Sequence, residues 1–344
     1  SMEKSEEYLY KGIWVTTGGW GAIENAYNEE TRKELSRNIF FFSGIWSPQE
    51  LESRREELQQ TEVIFTTWGM FFLTEEEIRE FFPNLKAVFY AAGSVQYFAK
   101  PFLKNGIRIF SAFAANAVPV AEYTLAQIIL AGKGHYQASR LYKETGNFQQ
   151  ASAYSHKLTG NYGDTVGIIG AGTIGRMVIE RLKSLYLKVL VFDPFLPQEK
   201  AAAMGVELCS LPELFSRAQV ISNHLANNEQ TKGMLNYALF SGMRPYAVFI
   251  NTGRGAQVVE ADLVRALEEE PGRTAVLDVT WPEPPQEGHL FYQLPNVIMT
   301  PHIAVSIGDE VHRMAEYMLE EYLHFQAGEP CKYEVTESML ATMA

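Results

Sequence analysis

The chain has 344 residues, of which 47% are hydrophobic and 20% charged, and a formal net charge of −12. That length supports one large or two ordinary globular domains with sizeable cores, and two is the better expectation. The acidic balance contains no basic block of the kind that neutralises nucleic-acid phosphates, so no nucleic-acid partner is expected.

No run approaches the roughly 18 apolar residues of a membrane span, and the N-terminus lacks the basic and then apolar pattern of a secretory leader. No membrane partner and a cytoplasmic location are therefore expected. Ser1 ahead of Met2 reads as a scar of tag removal. Cys209 and Cys331 are isolated, without CxxC or ligand-like spacing, which points to two reduced thiols and to no metal site.

In chain order, the spacing predicts strands at Ile13–Val15, Val63–Phe65, Ala87–Tyr90 and Gly106–Ile109, alternating with helices at Glu50–Gln59 and Thr74–Phe82. Thr74 with Glu77 forms a capping box at the start of the second helix. The first third thus reads as a small α/β domain with a parallel sheet. Asn116 is expected to cap a long buried helix through Val120–Ala131, with Pro119 in its permissive first turn. His135–Lys157, rich in Gln, Tyr and Ser and without a clean period, is expected as an arm against another subunit, hence a homodimer.

From Tyr162 a second doubly wound unit begins, with a strand to Ile169, a helix to about Ser184 and a strand at Lys188–Phe192. Further βα pairs are expected at Val220–Asn223, Val248–Asn251, Ala275–Val279 and Val297–Met299. The spacing of Val311, Met314, Ala315, Met318, Leu319 and Leu323 predicts a single closing helix over Gly308–Gln326.

The turn after Ile169 reads Gly170-Ala171-Gly172-Thr173-Ile174-Gly175. In such a loop the first glycine permits the tight turn, the second lets the backbone approach a pyrophosphate, and the third lets helix and strand pack closely. An apolar strand precedes it, a helix follows, and Asp193 ends the next strand. Asp193 is placed to accept from the adenosine ribose hydroxyls and to repel a 2′-phosphate, which favours NAD over NADP.

Polar residues just beyond the later strands are the candidates for chemistry, because ligands of open α/β sheets bind outside the carboxyl ends of strands. Arg254 follows the strand ending at Ile250, Glu283 follows the one around Leu277, and His302 follows Val297–Met299. Hydride transfer to a 2-keto acid needs a guanidinium fork for the carboxylate and carbonyl, which Arg254 offers. It also needs a proton donor for the developing alkoxide, which suits His302, with Glu283 orienting the imidazole. Taken singly, each residue also has a reading as loop surface or helix cap.

These motifs, with Asn251-Thr252-Gly253-Arg254-Gly255, Asp278-Val279-Thr280-Trp281-Pro282-Glu283-Pro284 and Thr300-Pro301-His302-Ile303-Ala304, resemble the D-isomer-specific 2-hydroxyacid dehydrogenases. The resemblance runs from about Val63 over nearly the whole remaining chain. It implies two doubly wound α/β domains, a Rossmann NAD-binding domain inserted into a discontinuous, flavodoxin-like substrate domain. The boundaries are then 1–115 and 305–344 for the substrate domain and 116–304 for the NAD domain. The resemblance also implies Thr252 and Asp278 near the nicotinamide, and Ala92 and Gly93 as backbone donors to the substrate carboxylate.

The chain departs from the family at His224-Leu225-Ala226-Asn227-Asn228, where Pro-Leu-Thr is usual after the His. It departs again at Ser94-Val95-Gln96, where an Asp is frequent, and at Thr280-Trp281. Glu283 speaks against formate dehydrogenase, which pairs its His with Gln. An NAD(H)-sensing binding protein of the corepressor type is the alternative function, and the pull-down of a partner under NADH control would distinguish it. Trp68, Phe71, Phe72 and Tyr97 read first as core and second as the wall of an apolar pocket. Phosphoglycerate as substrate would call for extra cationic side chains near the pocket.

Overall fold

A computed structural model describes residues 8–341, so Ser1, the expected tag scar, lies outside the described residues. The chain divides into two compact units. One comprises the residues up to Asn116 together with those from Ser306, and the other comprises Ala117–Val305.

The first unit opens with β1 (Tyr10–Val15), α1 (Gly19–Ala26), α2 (Glu29–Ser36), β2 (Ile39–Ile45), α3 (Arg55–Gln60) and β3 (Val63–Thr66). It continues with α4 (Glu75–Phe81), β4 (Ala87–Tyr90), α5 (Ala99–Lys104) and β5 (Arg108–Ser111). Elements α1, α2, β2 and α5 are absent from the expectation, and of the helix expected at Glu50–Gln59 only the part from Arg55 is α-helical, Pro48–Glu50 forming a separate 3-10 turn. The Thr74–Glu77 capping box is present in both directions, at 3.1 Å each way.

Helix α6 (Phe113–Ala131) begins a turn earlier than expected, because Phe113, Ala114 and Ala115 are compatible with helix. Asn116 is therefore inside the helix and not its cap, its N–H donating to Ala112 O at 3.1 Å. Pro119 is likewise interior, where it removes a donor from the helix ladder. Contrary to expectation, α6 is long and apolar enough to cross a membrane by length and composition alone, with a mean hydropathy of 1.3 over 19 residues. Asn116, Glu122, Thr124 and Gln127 interrupt its apolar run in the sequence. Ala121, Ile128 and Ala131 are buried in the core of the second unit.

The second unit continues with α7 (His135–Thr145), α8 (Phe148–Ser155), β6 (Tyr162–Ile169), α9 (Thr173–Leu182), β7 (Tyr186–Phe192), α10 (Gln198–Ala203) and β8 (Glu207–Leu208). Then come α11 (Leu211–Arg217), β9 (Val220–Asn223), α12 (Tyr237–Phe240), β10 (Val248–Asn251), α13 (Glu260–Glu269), β11 (Thr274–Leu277) and β12 (Val297–Met299). The aperiodic stretch is thus two helices, each too short to establish a period. Left-handed Gly134 and Gly146 bound α7. Gln137 Nε2 donates to Thr274 Oγ1 at 2.8 Å and Tyr154 Oη donates to Gly272 O at 2.8 Å, tying both helices to this unit.

The chain returns to the first unit with α14 (Glu310–Gln326), β13 (Glu334–Val335) and α15 (Glu337–Leu340), so α14 does not end the fold as expected. Buried Glu321 on α14 accepts from the N–H groups of Lys332 and Tyr333 at 3.0 Å each. Arg108 forks onto Glu334 at 2.6 and 3.1 Å, and β13 pairs antiparallel with β5.

Among the described residues the first unit has a sheet in the order β13-β5-β4-β3-β1-β2, and the second a sheet in the order β12-β11-β10-β9-β6-β7-β8. All pairs but β13–β5 are parallel. Alternation along each strand supplies two buried faces; in β3, Ile64 faces one core while Val63 and Phe65 face the other.

On that second face an aromatic row crosses the sheet. Phe41 stacks on Trp14 at 4.6 Å, Phe65 on Phe89 at 4.8 Å, and Phe89 on Phe110 at 4.9 Å. Tyr322 of α14 meets Phe65 and Phe89 edge-on at 5.7 and 5.8 Å, so the returning helix is held by the row. Phe89→Ala removes the central ring and is expected to lower stability by about 3–5 kcal/mol, measured by urea denaturation; a loss below about 1 kcal/mol would contradict this account of the core.

Candidate active site

In the second sheet the chain winds outward from β6 to β7 and β8, then crosses back to β9, which makes the carboxyl ends of β6 and β9 the topological switch point. The glycine turn follows β6, and His224 follows β9. Gly170 adopts φ +91°, and a Cβ there would stand 2.5 Å from His224 O. A Cβ at Gly175 would stand 2.0 Å from Gly170 O, so the start of α9 packs directly on the turn. A Cβ at Gly172 would meet no protein atom within 4 Å, and no side chain caps α9. Each glycine therefore has its own reason, and the first-turn amides of Thr173, Ile174 and Gly175 are available to a pyrophosphate.

Asp193 bridges this turn to the end of β7. Its Oδ2 accepts from Ala171 N and its Oδ1 from Phe195 N, both at 2.8 Å. A carboxylate has about four acceptor sites, so capacity remains for ribose hydroxyls. The following Pro194-Phe195-Leu196-Pro197 holds no cation for a 2′-phosphate. The residues present fit a dinucleotide of the NAD type.

Beyond β9 and β10 lies a buried amide network that the sequence reading missed. Asn223 Nδ2 donates to Asn251 Oδ1 at 3.1 Å and to Gln257 Oε1 at 2.7 Å. Gln257 Nε2 in turn donates to the carbonyls of Leu225 and Ala226 at 3.0 and 2.9 Å. Asn251 Oδ1 accepts from Gly253 N at 3.0 Å, and its Nδ2 donates to Arg254 O at 3.1 Å. The backbone on both sides of Arg254 is thus fixed while its guanidinium stays exposed. Gly255 packs so closely that a Cβ would stand 2.1 Å from the carbonyl carbon of Thr280, which sets the Arg254 turn against the segment leading to Glu283. Thr252 is buried, with its Oγ1 2.8 Å from Thr124 Oγ1 on α6.

After β11 and β12, Asp278 is the organising residue. Its Oδ1 accepts from Thr300 Oγ1 at 2.6 Å and Ile303 N at 2.8 Å, and its Oδ2 from Ala304 N at 3.0 Å. His302 N donates to Asp278 O at 3.0 Å. Within that clamp His302 adopts φ +55°, in the left-handed region that a β-carbon disfavours. The turned ring meets Glu283, with Nδ1 2.8 Å from Oε2, and both side chains are partly exposed.

The loop bearing Glu283 has its own supports, also missed in the sequence. Glu260 Oε2 accepts from Trp281 N at 3.0 Å, and Thr280 Oγ1 donates to Pro282 O at 2.9 Å. Burial pushes the Glu260 carboxyl above its ordinary range, opposed by the Trp281 N–H. His289 Nδ1 accepts from Phe291 N at 3.0 Å, which leaves the proton on Nε2, 3.5 Å from Glu260 Oε1. Glu260 and His289 are separated from Glu283 by sequence and connected to it through backbone, a relation no local spacing reveals.

Ala92 and Gly93 belong to the first unit, on the loop after β4. Ala92 O accepts from Ala112 N at 3.0 Å, and Gly93 O accepts from Ser111 Oγ at 2.5 Å. On the neighbouring loops Phe71 is core, as expected, whereas Trp68, Phe72 and Tyr97 are 48, 61 and 47% exposed, against their first reading as core. The strands end before these three positions, and the chain turns outward on tight loops.

Residues 125–304 match the family model described as D-isomer specific 2-hydroxyacid dehydrogenase, NAD binding domain. A putative 2-hydroxyacid dehydrogenase of Bacillus subtilis is 32% identical over 290 residues, 81% of this chain and 82% of that one. The chain belongs to the D-isomer specific 2-hydroxyacid dehydrogenase family, and its second unit is an NAD-binding domain.

A D-3-phosphoglycerate dehydrogenase of Archaeoglobus fulgidus is 31% identical over 232 residues, 67% of this chain but only 43% of that relative's length. Among solved structures, a phosphoglycerate oxidoreductase from Rhizobium etli superposes with a TM-score of 0.81 at 20% identity, covering 96% of this chain and 99% of that one. D-mandelate dehydrogenase of Rhodotorula graminis superposes with a TM-score of 0.78 at 18% identity, covering 95% and 98%. At those identities the likeness is one of fold.

His224, beside the glycine turn, retains some exposed surface, but its Nδ1 is buried without a protein partner and its Nε2 is 2.8 Å from Ser222 Oγ. Burial pushes the imidazole down to about 4. An unfolded His protonates near pH 6.5 while this one stays neutral, so stability is full above pH 6.5 and falls as the pH drops toward 4. Between pH 7 and 5 the wild type is expected to lose about 1–2 kcal/mol more than His224→Gln, read from urea denaturation at each pH. Equal losses would contradict a buried neutral His224.

Proposed function

We propose that the protein is an NAD-dependent dehydrogenase that interconverts a 2-keto acid and its D-2-hydroxy acid. The observation that carries the reading is the His302–Glu283 hydrogen bond at 2.8 Å, formed beyond the carboxyl ends of the strands of the NAD-binding unit. When bound at the glycine turn and Asp193, with Thr252 and Asp278 toward its nicotinamide end, the cofactor supplies the hydride.

The chain's own residues would do the rest. The Arg254 fork pairs with the substrate carboxylate and polarises the carbonyl, and the backbone amides of Ala92 and Gly93 add donors to the carboxylate. Glu283 holds His302 through Nδ1, which leaves Nε2 to give a proton to the alkoxide oxygen during reduction and to take it back during oxidation. A homodimer acting in the cytoplasm belongs to the same reading. Tyr142 of α7 and Phe148 of α8 are 50 and 65% exposed, and the two cysteines are unpaired.

With a panel of 2-keto acids and NADH absorbance as the readout, His302→Ala is expected to lower kcat about 10²–10⁴-fold, with the Kd for NADH within about twofold of wild type. Arg254→Ala is expected to lower kcat/KM by a comparable factor. Near-normal turnover by His302→Ala would remove the proton-donor assignment.

A further inference from the structure

The first unit has its own switch point. Its chain passes from β1 outward to β2 and then back across to β3, β4 and β5, so the crevice for a ligand lies outside the carboxyl ends of β1 and β3. The loops there are 16–18 and 67–74, with 91–98 next to them beyond β4. They are tied into one frame. Thr16 Oγ1 donates to Trp68 O at 2.6 Å, and Thr17 N donates to Gly69 O at 2.9 Å. The Tyr97 hydroxyl is hydrogen-bonded to that of Tyr90 and to the backbone of Met70, which joins the loop after β4 to the loop after β3.

This frame displays Trp68, Phe72 and Tyr97 at 48, 61 and 47% exposure, and it contains no Lys or Arg in any of the three loops. The first cation beyond them, Lys100 on α5, lies in the field of Glu337, whose carboxylate also pairs with Lys104 at 2.8 Å. Large rings held on a rigid frame at a sheet's ligand-binding end, without a cation to meet a phosphate, suit an uncharged apolar group. Ala92 and Gly93, the proposed carboxylate donors, stand on the same loop as Tyr97.

Building on the reading as a 2-keto acid dehydrogenase, we infer that the substrate carries a bulky apolar side chain at C3, aromatic or branched aliphatic, recognised by Trp68, Phe72 and Tyr97. A phosphorylated 2-keto acid is a poor substrate for this chain, although the relative in Archaeoglobus fulgidus is a D-3-phosphoglycerate dehydrogenase.

The test compares phenylpyruvate and 4-methyl-2-oxopentanoate with glyoxylate and 3-phosphohydroxypyruvate, all with NADH, and measures calorimetric binding of phenylpyruvate to the NAD⁺-loaded protein. Phenylpyruvate is expected to exceed glyoxylate and 3-phosphohydroxypyruvate in kcat/KM by at least about tenfold, and to bind measurably. Trp68→Ala and Phe72→Ala are each expected to lower the ratio of kcat/KM for phenylpyruvate to that for glyoxylate by about tenfold, through KM. A preference for 3-phosphohydroxypyruvate or glyoxylate, or an unchanged ratio in both variants, would overturn this inference and leave the dehydrogenase reading standing. Reduction of none of the acids by protein that binds NADH would overturn the dehydrogenase reading, and the inference with it.

Discussion

The carboxylate of Asp278 is the interaction on which the candidate site depends. A left-handed residue other than glycine costs of order 1–3 kcal/mol, and His302 is held there at φ +55°. Asp278 offsets that cost with charge-assisted hydrogen bonds from Thr300 Oγ1, Ile303 N and Ala304 N, each worth about 1.5–3 kcal/mol. The clamp turns the imidazole toward Glu283, and without it the backbone would relax to a conformation that aims the ring elsewhere. Asp278 thus does structural work as well as standing where the resemblance places a cofactor neighbour.

The same logic recurs around the site, with backbone fixed by buried polar groups so that exposed side chains are aimed. The Asn223, Asn251 and Gln257 amides hold the turn of Arg254, and Glu260 with His289 holds the segment of Glu283. Such networks are stable only when their members are satisfied, which is why removing one amide unsettles a loop and not merely one bond. Close glycine contacts complete the arrangement, with Gly175 on Gly170 and Gly255 on Thr280 leaving no space for a β-carbon.

What the sequence discloses follows from range. The glycine turn, Asp193, Arg254, Glu283 and His302 each stand at a recognisable strand end, so their placement in the second unit could be read from local pattern alone. Helix α1 begins in Gly18-Gly19-Trp20-Gly21, which reads as a turn, and β2 carries Phe40 and Phe42 on a partly exposed edge where alternation is blurred. Phe113-Ala114-Ala115 extended α6 upstream, where Asn116 and Pro119 looked like a start. Glu321, Gln257 and Glu260 are illegible because their partners, most of them backbone groups, are brought close only by folding. Trp68, Phe72 and Tyr97 look like core in composition, and only the loop geometry exposes them.

The two units therefore present different chemistry by one rule of placement. In each open sheet the loops singled out lie outside the carboxyl ends of the strands, the glycine turn and the His302–Glu283 pair in one, the loops of Trp68, Phe72 and Tyr97 in the other. Under the proposed function, hydride passes directly to C2 of a 2-keto acid and the proton comes from His302. The most direct measurement is a single turnover with NADH stereospecifically deuterated at C4, followed by NMR and chiral analysis of the product. Deuterium is expected at C2 of the D-2-hydroxy acid from one of the two C4 positions only; product without deuterium at C2, or of L configuration, would contradict the proposed function.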